Sequence, residues 1–284
     1  MAMPSSLIRL RALFLALLLT GFGGMAEASM ADIEVSWQAG YTGLPAALTG
    51  SGPVLGNWRS DALQRTLGRL DSNQQVPAVL YLHGCTGFGS EGNAYRLFLT
   101  LQGYAFFAPD SLARPERRRN CDPSSHAAGL RGSTGPQRLA ELRYALSQIA
   151  ELPWVDHSRL FLIGFSEGAA AATRYDGDAF AGVVLTGWHC HGGADNHGLA
   201  LPAGLPFLSI ISAHDPWYPQ LNGRTCAQFA DGRPRSRSLL LSQATHVLLT
   251  SSESEAAQLS RQAILEFLDA AVAAPRPRQF RKED

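Results

Sequence analysis

From residue 78 onward the chain alternates short apolar runs with longer amphipathic segments. The runs at 79–82, 104–108, 160–163, 181–186, 207–212 and 238–241 predict buried strands, because each is brief and mainly apolar. Helices are predicted where apolar positions recur every three to four residues. Ser60 is placed to cap one that runs to Leu70 with Leu63, Leu67 and Leu70 on one face. Another covers 95–101 and is closed by Gly103. The segment 137–150 sets Leu139, Leu142, Leu146 and Ile149 in helical spacing, and the last helix, 252–274, does so with Leu259, Ile264, Phe267 and Leu268. Strands alternating with helices predict a single α/β domain with a mostly parallel central sheet and helices on both faces.

The pattern is weaker before residue 78. Residues 33–37 alternate and read as a strand, while 40–57, rich in Gly and Pro, reads as loop, and 71–77 as a turn. A polar insertion at 112–133 carries Arg114, Arg117, Arg118 and Arg119. Loops of that length are commonly functional or mobile. The arginines read first as a solvated run and second as a site for an anion.

The two ends read differently from the body of the 284-residue chain. Arg9 and Arg11 precede an apolar core at 12–19, and Ala26-Glu27-Ala28 supplies a small-residue cleavage site. Residues 1–28 therefore read as a secretory signal peptide, too short in its apolar part for a membrane span. Residues 29–274 form the expected domain, and 275–284 a polar tail expected to be disordered. An exported protein with no stable membrane anchor after cleavage follows, periplasmic or secreted. Its 24 basic and 24 acidic residues balance. Without Arg9, Arg11 and Glu27 they become 22 and 23, a net charge of −1, so nucleic acid is not an expected partner. The four cysteines, Cys85, Cys121, Cys190 and Cys226, suggest two disulfides in an oxidising compartment, with three pairings open.

The densest chemical signal is the stretch 159–172. An apolar run leads into Gly164-Phe165-Ser166-Glu167-Gly168, and an alanine-rich helix follows. That is the pattern of a nucleophile on a sharp strand-to-helix turn, where side chains two residues to either side would collide. Ser166 at a helix N-terminus would face free N–H groups suited to developing negative charge. A serine hydroxyl needs a base, and the base an acid to hold its tautomer. In chain order Ser, acid, His, the residues beyond later strands are Asp215 and His246, with Asp195 as the second choice of acid. The tetrahedral intermediate needs two N–H donors. The expected pair is Glu167 and Cys85, with Thr86 next. His83 reads as structural, and Trp188, Trp217 and Tyr218 as candidate pocket walls.

With these residues in view, the chain resembles the dienelactone hydrolase family of the α/β-hydrolase superfamily over residues 76–272. The resemblance rests on Tyr81-Leu82-His83-Gly84-Cys85-Thr86-Gly87, on Gly103-Tyr104-Ala105 with Pro109-Asp110-Ser111, on 159–168, and on Asp215 and Thr245-His246. It implies an eight-stranded, mostly parallel sheet, a covalent acyl-enzyme mechanism on a small-molecule ester, and no cofactor. Founding members carry a cysteine nucleophile where this chain has Ser166, which points to general carboxylic esters rather than to dienelactone. The amino-terminal antiparallel strands of the superfamily do not show in the sequence. The superfamily's strand order also implies Cys85–Cys121 and Cys190–Cys226 as the disulfides.

Two other readings compete. His189, His191, Asp195, His197 and His214 lie close in sequence and could bind a metal, although their spacing matches no strong motif. A non-catalytic binding protein on the same fold is the other, since fold does not fix function. Oligomeric state is left open by the sequence.

Overall fold

The computed structural model describes residues 32–71, 73–129, 134–193, 196–250 and 253–272. The expected signal peptide and tail lie outside the described residues. Strands β1 (Tyr41–Leu44), β2 (Val54–Asn57), β3 (Val76–Leu82), β4 (Ala105–Ala108), β7 (Val155–Phe165), β8 (Gly182–Thr186), β9 (Phe207–Ser212) and β10 (Arg237–Leu241) form one sheet in the order β10-β9-β8-β7-β3-β4-β1-β2. Pairings from β4 through β10 are parallel, and β1 pairs antiparallel with both β2 and β4. A separate two-stranded hairpin, β5 (Cys121–Asp122) with β6 (Ala127–Ala128), sits in the arginine-bearing insertion.

Four helices cover the sheet: α1 (Gly89–Leu101), α2 (Gly135–Ala150), α3 (Glu167–Ala172) and α4 (Glu255–Val272). The period of two along β3 sorts the faces. Ala78, Leu80 and Leu82 pack with Leu142, Ala145 and Ile149 of α2 and with Ala169, Ala171 and Ala172 of α3. Val79 and Tyr81 pack with Tyr95 and Leu99 of α1 and with Ile264, Phe267 and Leu268 of α4. The sheet is thus buried on both faces, as its near-continuous apolar strands require.

The structure corrects the amino-terminal reading. Residues 32–38 are helical, not a strand. Their buried positions are Ile33, Ser36 and Trp37, a spacing of three and four that the alternation of Ile33, Val35 and Trp37 hid. The stretch 40–57 is not loop throughout: it supplies β1 and β2, the antiparallel strands that the sequence did not reveal. Its glycines serve close approach. A Cβ on Gly40 would lie 2.8 Å from Ala108 O, and one on Gly43 would lie 2.2 Å from Thr100 Oγ1. The helix after Ser60 spans Asp61–Leu67 and buries Leu63 fully, but the Ser60 side chain makes no capping bond. Leu259 is 39% exposed and does not face the core.

Candidate active site

The loops at the carboxyl ends of the parallel strands converge on Ser166. The serine follows β7 with φ 53°, a conformation costly for a side chain with a Cβ. Two close approaches over-determine it. A Cβ on Gly164 would lie 2.6 Å from Ala169 Cα, and one on Gly168 would lie 2.0 Å from the Leu82 carbonyl oxygen. Neither neighbour is a side chain that could swing away. The Ser166 N–H donates to Thr186 O at 2.8 Å, tying the turn to β8.

His246 and Asp215 meet the serine from two other loops. His246 Nε2 lies 3.0 Å from Ser166 Oγ, and His246 Nδ1 lies 2.7 Å from Asp215 Oδ2. A carboxylate only accepts, so Nδ1 carries the proton and Nε2 presents its lone pair to the serine hydroxyl. The other Asp215 oxygen accepts the Trp217 N–H at 2.9 Å, so the acid cannot rotate without losing a bond. Asp215 and His246 are buried. Phe165 and Trp217 flank the imidazole at ring-centroid distances of 5.0 and 5.2 Å. The structure therefore brings together Ser166, Asp215 and His246; Asp195 lies outside the described residues.

The expected oxyanion donors sit at the same place. Glu167 is the first residue of α3, where helix geometry leaves its N–H without an intrahelical acceptor. Gly84 brings the 83–87 loop against the nucleophile: a Cβ there would lie 2.9 Å from the Phe165 ring and 3.5 Å from Ser166 Cβ. Cys85 is disulfide-bonded to Cys121, which fastens this loop to β5, and Cys190 is bonded to Cys226. Both pairs are those the superfamily strand order implied. His83 is fully buried and structural. Its Nδ1 lies 2.7 Å from Gly84 O, and its Nε2 accepts the Ser111 N–H at 3.0 Å. Burial, then the Arg138 guanidinium, hold its pKa well below the usual histidine value.

Two of the insertion's arginines are not solvated, against the first reading of that run. Arg114 and Arg117 are buried, as is Arg138 of α2. Arg114 pairs with Asp32 at 2.6 Å and Glu141 at 3.0 Å, while Arg117 pairs with Glu167. Arg138 reaches Glu141 at 3.2 Å, Glu167 at 3.9 Å and the His83 carbonyl at 2.8 Å. Ser111 Oγ donates to Glu141 at 2.9 Å. The sequence reading passed over Arg138 and Glu141. A signal was available, because they share the helix face of Leu142, Ala145 and Ile149.

Glu91 in the first turn of α1 is a further buried acid, after Asp215 and Glu141. Neither of its carboxyl oxygens has a partner at hydrogen-bonding geometry among the described residues. Burial pushes its pKa well up, the Leu248 N–H opposes the shift, and Asp215 adds to it. The folded protein then holds a proton that the unfolded chain releases above about pH 4.5, so this group's contribution to stability falls as pH rises from there towards its folded pKa. Glu91→Gln is expected to raise the melting temperature relative to wild type more at pH 8 than at pH 5. Thermal unfolding at both values checks this, and an equal effect at both would refute it.

A cavity of about 270 Å³ is lined by His189, Tyr218, Pro219, Gln220, Leu221 and Arg224. Tyr218 connects it to the triad: its ring centroid is 5.8 Å from that of His246, and its hydroxyl donates to Gly187 O at 3.2 Å. Burial, then His191 and Arg224, push the His189 pKa down to about 4. Of the expected pocket walls, Trp217 and Tyr218 flank the triad, whereas Trp188 stacks on His189 at 4.8 Å. Two histidines of the metal reading have a ring nitrogen otherwise engaged. His189 Nδ1 accepts the His191 N–H at 3.0 Å, and His191 Nε2 lies 3.1 Å from Thr225 O. Among the described residues, no three of His, Cys, Asp and Glu are grouped to hold a metal ion.

No protein-family model matches the sequence, and no curated protein matches it. Solved structures do match. One is a candidate dienelactone hydrolase from Klebsiella pneumoniae, 17% identical over 81% of this chain and 98% of that chain, with a TM-score of 0.53. Another is an esterase from Pyrococcus furiosus, 15% identical over 71% of this chain and 85% of that chain, with a TM-score of 0.52. Likeness at this level of identity establishes the architecture alone: the chain has the α/β-hydrolase fold.

Proposed function

We propose that this chain is an exported serine hydrolase of carboxylic esters, working through a Ser166–His246–Asp215 triad. The observation that carries the reading is the hydrogen-bonded series Ser166–His246–Asp215, with steps of 3.0 and 2.7 Å, on a strained strand-to-helix turn. The esterase and the candidate dienelactone hydrolase that share the fold support ester chemistry over other uses of it.

In this reading each group has a defined part. As Ser166 Oγ bonds to the ester carbonyl carbon, its proton passes to His246 Nε2. The carbonyl electron pair moves onto oxygen, which the Glu167 and Cys85 N–H groups receive. Collapse breaks the bond to the alcohol, and His246 returns the proton to that leaving oxygen. A water molecule then attacks the acyl-serine and gives its proton to His246; as the bond from the acyl carbon to Ser166 Oγ breaks, His246 returns that proton to Oγ, which frees the acid and restores Ser166. Asp215 holds the imidazole tautomer and stabilises its cationic form.

The cavity beside Tyr218, about 270 Å³, lies just below the usual range of ligand sites, which run from about 300 Å³ upward. Small ester substituents fit that volume, so a panel of chromogenic esters is expected to favour short acyl chains. Two disulfides suit an oxidising compartment, periplasmic or extracellular. The direct test is labelling with a fluorophosphonate probe. The wild type should react and Ser166→Ala should not; equal labelling of both removes Ser166 from the mechanism.

A further inference from the structure

The buried charges behind the oxyanion loop form a set that acyl transfer by itself does not require. Three arginines, Arg114, Arg117 and Arg138, face three carboxylates, Asp32, Glu141 and Glu167. Burying such pairs is expensive, and apolar residues of similar volume are often at least as stabilising. A role tied to position gives a reason for keeping them.

Glu167 is where position matters. Its N–H is the expected donor to the oxyanion, yet its side chain adds a negative charge one residue beyond the nucleophile. An uncompensated carboxylate there would oppose the charge that develops on the substrate oxygen, at a position screened from water where the opposition is strong. The structure sets two guanidinium groups on that carboxylate. Arg117 pairs with its Oε1 directly from the insertion, and Arg138 Nε stands 3.9 Å from the same oxygen. The same Arg138 donates to the His83 carbonyl at 2.8 Å, one residue before Gly84. One guanidinium therefore touches both segments that carry the expected oxyanion donors. The Cys85–Cys121 disulfide fastens the end of the Arg117 segment to the oxyanion loop itself.

We infer that Arg117 and Arg138 are positioning residues of the oxyanion hole: they cancel the Glu167 charge and hold the 83–85 loop against Ser166. The inference rests on the serine-hydrolase reading above. It explains why an acid is tolerated immediately after the nucleophile, and why part of an otherwise polar insertion is buried. It also assigns the insertion a catalytic duty through Arg117 rather than a substrate contact.

The test is a charge cycle on the full chain with a chromogenic ester. Arg117→Gln is expected to lower kcat on the order of 10- to 100-fold with KM nearly unchanged, since the charge it compensates acts on the transition state. Adding Glu167→Gln should restore kcat severalfold, because the offending carboxylate is gone; a purely structural arginine would give a double variant no better than the single one. An Arg117→Gln kcat within twofold of wild type, or no recovery in the double variant, overturns the inference. Should Arg117→Gln not fold by circular dichroism, Arg117→Lys takes its place. It keeps the charge, so its kcat should fall less than about tenfold, and a fall beyond about 100-fold would mean that shape rather than charge matters. Failure here leaves Ser166-dependent probe labelling intact, whereas failure of the serine-hydrolase reading abolishes that distinction.

Discussion

His246→Ala is expected to reduce kcat/KM for an ester by about 10⁴-fold or more, and Asp215→Asn by about 10⁴-fold. The physical reason differs between the two. Without the imidazole, Ser166 Oγ loses the acceptor for its proton; the 3.0 Å contact to Nε2 is the path. With Asn at 215, the amide can present its N–H₂ to Nδ1, which then turns acceptor and leaves Nε2 protonated towards the serine. The Trp217 N–H bond to the 215 side chain can persist, so the fold should hold while the tautomer is wrong. Because the three groups act as a unit, a Ser166→Ala/His246→Ala double variant should be no worse than the poorer single variant. Steady-state kinetics with thermal unfolding as a control checks the series. A His246→Ala enzyme retaining more than a tenth of wild-type kcat/KM would remove the histidine from the proposal.

The largest stability effect is expected at Gly168. An alanine Cβ there would sit 2.0 Å from the Leu82 carbonyl oxygen and 2.8 Å from that of His83, both backbone atoms of the strand and loop that frame the site. Accommodating it means moving α3 off β3, and overpacking of this kind costs roughly 3 kcal/mol. At ~2–4 °C per kcal/mol for a domain of this size, the melting temperature should drop by about 10 °C. Gly204→Ala is the control, since a Cβ there meets nothing within 4 Å. Its effect should stay within about 0.5 kcal/mol. Equal melting temperatures for the two variants would show that the turn is looser than its close contacts indicate.

Much of this molecule was legible as pattern. The six parallel strands from β3 to β10 were each predicted, because a buried parallel strand needs a short apolar run and little else. The elbow was legible because its pattern is contiguous in sequence, Gly164 to Gly168, although the backbone that Gly168 must clear belongs to Leu82 of β3. Asp215 and His246 are singled out by chain order, since each follows its strand at a carboxyl end, and the structure brings both to Ser166. The amino-terminal strands were missed for an equally physical reason. β1 and β2 have four residues each, too few to establish a period, and the glycines in and beside them read as loop although Gly40 marks close approach to β4 and Gly43 to α1.

The buried arginines show where sequence reading stops. Nothing local distinguishes Arg114 and Arg117, which are buried, from the exposed Arg118 and Arg119 beside them. Their partners lie far off in the chain, with Asp32 82 residues from Arg114 and Glu167 50 residues from Arg117. Likewise Glu91 looks like an ordinary acid in a helix's first turn until α1 packs it beneath the site. By itself the sequence determined the strand and helix alternation, the strained serine turn and the residue types that order themselves around it, because these depend on neighbours within a few positions. Only the tertiary structure decided which charges are desolvated and against what, because burial and ion pairing depend on atoms that the chain brings together from many residues apart.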